Sequence, residues 1–414
     1  MSLIQLKSEI GKDSSGKPIE TWKVESDLLN KAISALSNKQ GSAKRVVIPV
    51  TLTADKSATV ELPADALAAA GTGSPTAIIT VTFDGASYDL PVNVLDLKAI
   101  AKSLGSDLKD TKVSITLKQV TGQSAEALAK NAKDASLNLL GQAIEFSVTV
   151  SGNGKSQEIA NYGSTYVTRT ITLNQSVNGI TPSVVVYDAA SGKFSFVPAT
   201  FSVVAGKTFV TIKRNGNSVY AVVESKKTFS DIQKHWARAD IELLASKALL
   251  KGISEDTFAP NQLITRAEFA TLLAQALGLR EDKSAAKFSD ITGTESYAGY
   301  VGAAAKAKIV SGKNDGSFRP DENITREQMA VMIANAIRFV GKNSGNKADA
   351  DKVLAKFKDQ AQISKWAKLS VLEVVEAGIM NGAKADRFSP SEFVTRAEEA
   401  AIVKRLLVHL RFIN

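Results

Sequence analysis

Two kinds of hydrophobic spacing divide this chain. Between residues 46 and 223, short β-branched runs partly alternate with polar residues, the spacing of half-buried strands. Val46–Leu52, Ala77–Phe83, Val113–Leu117 and Ile144–Val150 predict strands, as do Tyr166–Leu173, Ser183–Tyr187, Phe194–Val197, Phe209–Lys213 and Val219–Val223. Arg214-Asn-Gly-Asn217 predicts a hairpin between the last two, because Asn-Gly accepts the positive φ of a tight turn. Asp188-Ala-Ala-Ser-Gly192 reads as another turn. The polar opening carries one helix-like stretch, Ser26–Leu36. Leu62-Pro-Ala-Asp-Ala-Leu67 and Leu90-Pro-Val-Asn-Val-Leu95 are similar phrases, each after two short strands and each leading into an alanine- and leucine-rich segment. They suggest a strand–strand–helix repeat.

From residue 226 onward the spacing becomes helical, and one unit is written three times. Phe229-Ser-Asp231, Phe288-Ser-Asp290 and Phe357-Lys-Asp359 open the units. Each runs through a helical stretch to a glycine, Gly252, Gly312 or Gly382. Six residues later stands Phe-x-Pro, and six residues past each proline stands Thr-Arg: Thr265-Arg266, Thr325-Arg326 and Thr395-Arg396. From glycine to arginine the spacing never slips, so a fixed loop geometry is expected. Thr265 with Glu268, Thr325 with Gln328 and Thr395 with Glu398 predict capping boxes at the start of a second helix. Behind them run apolar stripes: Phe269, Leu272, Leu273 and Leu277; Met329, Met332, Ile333 and Ile337; Ile402, Val403, Leu406 and Leu407. These predict core. A left-handed helix cap is expected at Gly252.

Arg266, Arg326 and Arg396 stand in the first turn of those helices, where the macrodipole disfavours a cation. Each requires compensation. An internal salt bridge with Asp231, Asp290 or Asp359 is one candidate; a ligand anion held by guanidinium and helix-start amides is the other. Three copies of Asp, Gly and Arg point to a multivalent binding surface more than to a catalytic centre.

The Phe-x-Asp start, Trp236 and Trp366, the Gly-x5-Phe-x-Pro loop and the Thr-Arg-Ala-Glu phrases resemble three consecutive S-layer homology domains over roughly residues 226–414. The resemblance implies binding of secondary cell-wall polysaccharide in grooves between neighbouring repeats, through a pyruvate ketal on terminal N-acetylmannosamine. Asp231, Asp290 and Asp359 would then bind sugar hydroxyls or orient the arginines. Trp236 and Trp366 would offer a face to the sugar, with packing between helices as the competing role. Gly252, Gly312 and Gly382 would let the ligand near the backbone, and Arg266, Arg326 and Arg396 would take its carboxylate. The second unit departs from the pattern: Ser296 fills the tryptophan slot, so either Tyr297 beside it substitutes as the stacking surface or that groove is weaker or empty, and Glu327 next to Arg326 could lower anion affinity. A compact three-fold arrangement is also implied.

The expected architecture is α+β multidomain: a β-rich surface or spacer region over 1–225, of one or two subdomains, then a bundle of helix–loop–helix repeats over 226–287, 288–356 and 357–414. Over 414 residues the net charge is +9, which fits either a lysine-rich surface or attraction to a polyanion. No arginine-rich, aromatic-interleaved tract supports nucleic acid. With no cysteine and only His235 and His409, thiolate or histidine-built metal centres are not expected. No nucleophile motif, phosphate loop or dinucleotide fingerprint is found, so neither catalysis nor a cofactor is expected. Tyr162, Tyr166, Tyr187 and Tyr220 form either a sugar platform or, more commonly, cross-strand packing. The first residues lack a signal-peptide pattern, and no apolar run spans a bilayer. An extracellular wall protein would therefore need a leader outside this sequence. The reading is a non-catalytic wall anchor. Its rivals are the anchoring and substrate-binding fragment of a larger surface polysaccharide hydrolase, and a self-assembling S-layer subunit.

Overall fold

The computed structural model describes residues 6–13, 16–37, 44–51, 57–342 and 349–414. The tail of the Val46–Leu52 strand and the middle of the 341–356 linker lie outside these. Two compact units emerge: residues 1–178 with 185–194 and 201–223, and residues 224–414 with 179–184 and 195–200.

The first unit is β-rich, and its strands belong to two sheets. The larger begins with the hairpin Lys7–Lys12 and Pro18–Lys23 and continues through Ser57–Pro63, Lys112–Gln119, Ile144–Gly152 and Ser218–Glu224. The smaller carries Lys207–Arg214, Val167–Leu173, Ala86–Pro91, Ile78–Phe83 and Arg45–Pro49. Strict alternation builds the central strands: Ile144–Gly152 alternates buried with half-buried residues along its whole length. Tyr88 of the small sheet meets Phe146 of the large one at 5.9 Å, and Phe146 meets Tyr220 at 6.0 Å, so inner faces share one core. The two similar phrases do end a strand and open a helix, at Ala64–Gly73 and Leu97–Leu104. A further helix, Gln123–Asp134, follows strand Lys112–Gln119 and was not evident in the pattern. The two opening strands, Lys7–Lys12 and Pro18–Lys23, were also missed: the first is wholly exposed and the second mostly half-buried, and neither carries a run of apolar residues.

The Asn-Gly hairpin is overturned. Lys207–Arg214 belongs to the small sheet and Ser218–Glu224 to the large one, so residues 215–217 carry the chain from sheet to sheet. The reason is tertiary. Arg169 is fully buried, and its guanidinium donates to the Gly216 carbonyl at 2.8 Å and to Asn217 Oδ1 at 2.6 Å. Asn217 Nδ2 in turn donates to the Ile159 carbonyl at 2.8 Å. Tyr162, Tyr187 and Tyr220 are buried, which makes them packing residues and no sugar platform. The Asp188–Gly192 turn forms as expected, with Gly192 N bonded to the Asp188 carbonyl at 2.8 Å and Gly192 at φ +69°.

In the second unit each repeat is a helix–loop–helix. Opening helices are Arg238–Ser246, Ala298–Lys306 and Lys368–Glu376; second helices are Arg266–Ala276, Arg326–Phe339 and Arg396–His409. All three capping boxes form, and every residue of the three predicted apolar stripes is buried. Replacing Thr265 with alanine removes one box and is expected to cost about 1 kcal/mol, read by chemical denaturation. The cap at Gly252 is corrected: the left-handed residue ending the opening helix is Ala248, with Lys308 and Gly378 in the other repeats. Leu249 N, Ile309 N and Ile379 N then bond back to the carbonyls of Leu244, Ala304 and Val374.

The repeats close into a ring. Ile264 N donates to the Val394 carbonyl, Val394 N to Ile324 and Ile324 N to Ile264, at 3.0, 3.2 and 3.1 Å. Each second helix packs on the opening helix of the next repeat, and the third repeat returns to the first. Among the described residues no helix is long and apolar enough to cross a membrane.

Candidate functional site: three grooves between repeats

The loop of each repeat is built by its motif residues. The opening phenylalanine packs at a tilt against the loop phenylalanine: Phe229 against Phe258, Phe288 against Phe318 and Phe357 against Phe388, at 5.5, 5.1 and 5.7 Å. The aspartate holds the loop backbone with both oxygens. Asp231 accepts from Phe258 N and Ala259 N, Asp290 from Phe318 N and Arg319 N, and Asp359 from Phe388 N and Ser389 N, all at 2.7–2.9 Å. Ala259, Arg319 and Ser389 stand at φ +60°, +61° and +56°, so the carboxylate stabilises a turn that is costly for a side chain. The Asp–Arg salt bridge therefore does not form; these carboxylates are committed to main-chain amides.

The glycines are required by close approach. A Cβ on Gly382 would meet the Lys384 carbonyl at 2.2 Å, and one on Gly252 the Ser254 carbonyl at 2.3 Å. On Gly312 it would lie 2.8 Å from the Ser317 carbonyl. The loop folds against its own backbone there, which only glycine permits.

The arginines reach across repeats. Arg266 Nε donates to the Phe318 carbonyl, Arg326 Nε to Phe388 and Arg396 Nε to Phe258, at 3.0, 2.8 and 2.8 Å. Each guanidinium also lies over that same phenylalanine ring, at 4.9, 5.2 and 4.4 Å. Main-chain carbonyls and a ring face thus supply the compensation the macrodipole demands, a solution neither expected candidate named. Burial pulls the pKa of Arg266 and Arg326 down, against nearby carboxylates that push it up.

A cleft of about 730 Å³ opens where the first of these contacts lies, lined among others by Arg266, Gly312, Lys313, Arg319, Gln328 and Trp366. Predicted residues of all three repeats therefore converge: an arginine from the first, a glycine loop from the second, a tryptophan from the third. Trp366 and Trp236 are 60% and 64% exposed, so neither is a packing residue. By the same helix pairing, Trp236 precedes the opening helix that packs on Arg396–His409, and Tyr297 precedes the one that packs on Arg266–Ala276. Tyr297 is half-buried. Burial raises its pKa, helped by Asp321, Glu295 and Asp290.

Glu327 does not crowd an arginine. Its carboxylate accepts from Ser364 N at 3.0 Å and Ser364 Oγ at 2.9 Å, and so fixes the turn that carries Trp366. Sequence reasoning missed this role, because its partner lies 37 residues away in the next repeat.

Comparison with known proteins identifies the repeats. The S-layer homology domain family matches residues 228–270, 287–330 and 356–400. The chain carries three S-layer homology domains in its C-terminal half. It is 28% identical over 360 residues to an amylopullulanase of Thermoanaerobacterium thermosulfurigenes, covering 80% of this chain and 19% of that protein. An exoglucanase XynX of Acetivibrio thermocellus is 34% identical over 202 residues, 49% of this chain and 18% of that protein. An S-layer protein of Bacillus thuringiensis subsp. finitimus is 34% identical over 189 residues, 45% and 22% of the two chains. The chain thus spans roughly a fifth of the length of each of these relatives.

Proposed function

We propose that residues 226–414 form a helical bundle that anchors the protein non-covalently to an acidic polysaccharide of the bacterial cell wall, outside the cell. The observation that carries this reading is the cleft in which Arg266, the Gly312 loop and exposed Trp366 meet from three different S-layer homology repeats. The guanidinium suits a sugar-borne carboxylate such as a pyruvate ketal on N-acetylmannosamine, and the tryptophan face suits the ring carrying it. The glycine keeps the loop tight, and the aspartate holds that loop, acting on the ligand through it. A net charge of +9 assists approach to an acidic wall.

A second reading has its own support. The match to the amylopullulanase extends over 80% of this chain, well beyond the three domains. The β-rich unit would then be an accessory module of a surface polysaccharide hydrolase, with sugar-polymer binding by that unit as its signature. A lattice subunit, for which a relative named as an S-layer protein speaks, would form ordered sheets on concentration.

Co-sedimentation with Gram-positive sacculi tests the anchor. The protein is expected to pellet with native walls, and to stay in solution with walls stripped of secondary polysaccharide. Equal pelleting with both would overturn the polysaccharide as ligand.

A further inference from the structure

The three grooves share a plan, and besides the aromatic residue they differ at the third residue of each second helix. In the groove of Arg266 that residue is Gln328, whose Oε1 is 3.4 Å from Arg266 Nη1; the Ser311 carbonyl is also 3.4 Å from Nη2. Both contacts are long and neutral. In the groove of Arg326 it is Glu398, which forms an ion pair at 3.1 Å, while Nη2 bonds the Asn381 carbonyl at 2.6 Å. In the groove of Arg396 it is Glu268, whose carboxylate caps Thr265 N and forms no ion pair with the guanidinium, while Nη2 bonds the Lys251 carbonyl at 2.6 Å.

We propose that the residue at this position decides which groove takes an anionic sugar, and that in this protein it is the groove of Arg266, Gln328 and Trp366. The inference rests on the anchoring function proposed above. Arg266 is 5% exposed, yet lines the cleft. Its terminal nitrogens have no carboxylate partner and no short bond. The two carboxylates in that cleft, Asp315 and Glu322, both pair with Arg319, at 2.6 and 3.6 Å. Lys313, with no ion pair among the described residues, adds a second cation to the lining. Trp366 is held there by Glu327 through Ser364. The groove of Arg326 has its tryptophan, but a ligand carboxylate would have to displace Glu398 from the guanidinium. The groove of Arg396 carries Glu268 and, in place of a tryptophan, Tyr297, whose surroundings are carboxylates.

The test uses the full chain with two exchanges, Gln328→Glu and Glu398→Gln. Each installs a residue the chain already uses at the matching position, and both glutamate and glutamine complete the capping box. Binding of a synthetic pyruvate-ketal N-acetylmannosamine is measured by calorimetry, beside the same sugar without the ketal, with thermal melting as a check on folding. Gln328→Glu is expected to weaken binding of the ketal sugar on the order of tenfold, the effect of one competing charge at contact in a partly solvated site. The sugar without the ketal should respond little. Glu398→Gln is expected to add a second, weaker site. Unchanged ketal binding by Gln328→Glu, with wild type pelleting on native sacculi, would overturn the groove assignment and leave the anchor standing. If wild type pelleted with no wall, the anchoring function would fail first and the groove assignment with it.

Discussion

Replacing Arg326 with alanine should destabilise the ring of repeats by about 3–5 kcal/mol, the cost of removing one partner from a buried charge network. The side chain is almost wholly buried, and it does four things at once. It bonds the carbonyls of Phe388 and Asn381, pairs with Glu398 and covers the Phe388 ring. All of these partners belong to the third repeat, so the deletion opens one of the three joints. Alanine would leave two carbonyls without their donor and Glu398 without its cation. Lysine would restore charge but cannot span two carbonyls and a ring face together, so only partial recovery is expected. Urea denaturation followed by helical circular dichroism would measure this. A loss under about 1 kcal/mol would mean the ring is held by its backbone and apolar contacts alone. The same reasoning makes arginine-to-alanine variants poor probes of ligand binding, since they damage the scaffold that forms the groove.

The second large effect is expected at Glu399. It stands where Phe269 and Met329 stand in the other two repeats, within the buried face of its helix. Its Oε1 has no hydrogen-bond partner. Burial pushes its pKa up to about 8 from 4.5; Arg396 opposes the shift and Glu268 adds to it. An acid whose folded pKa lies above its unfolded one binds its proton more tightly in the native state. Its contribution to stability is therefore complete below about pH 4.5 and is lost as pH climbs towards 8. Across that window the loss should be roughly 3–5 kcal/mol. Glu399→Met, which copies the second repeat, should abolish this component of the pH slope and stabilise the protein by about 1–3 kcal/mol at neutral pH. Denaturation midpoints at pH 5, 6, 7 and 8 for both proteins would decide. Parallel curves would mean the carboxyl finds a partner or water when ionised.

Much of the second unit could be read from residues alone. The capping boxes are local chemistry: threonine and a carboxyl or amide three residues on have the same partners in any helix start. The apolar stripes follow from helical period, and the loop's unvarying spacing announced a rigid turn. The alternation that produced Ile144–Gly152 or Val167–Leu173 is equally local. What these patterns could not carry was partnership across the chain. Gln328 and Glu398 look interchangeable as caps; that each also lies within reach of an arginine of the preceding repeat, as a neutral amide in one case and an ion-paired carboxylate in the other, appears only in the fold.

The same division holds in the β-rich unit. Asn215-Gly-Asn217 is a hairpin by propensity, yet it becomes a crossing between sheets because buried Arg169 needs the Gly216 carbonyl and the Asn217 amide. A buried guanidinium without a carboxylate is more demanding than a turn preference worth a fraction of a kcal/mol per residue, so the tertiary partner prevails. By itself the sequence determined the triplicate unit, its helix starts, its loop length and the residue types its grooves would present. The tertiary structure decided that aspartate binds backbone, that arginine joins repeats, and that among the three arginines Arg326 is the one paired with a carboxylate. Those outcomes depend on pairs of atoms between about 30 and 140 residues apart, and no local pattern encodes such distances.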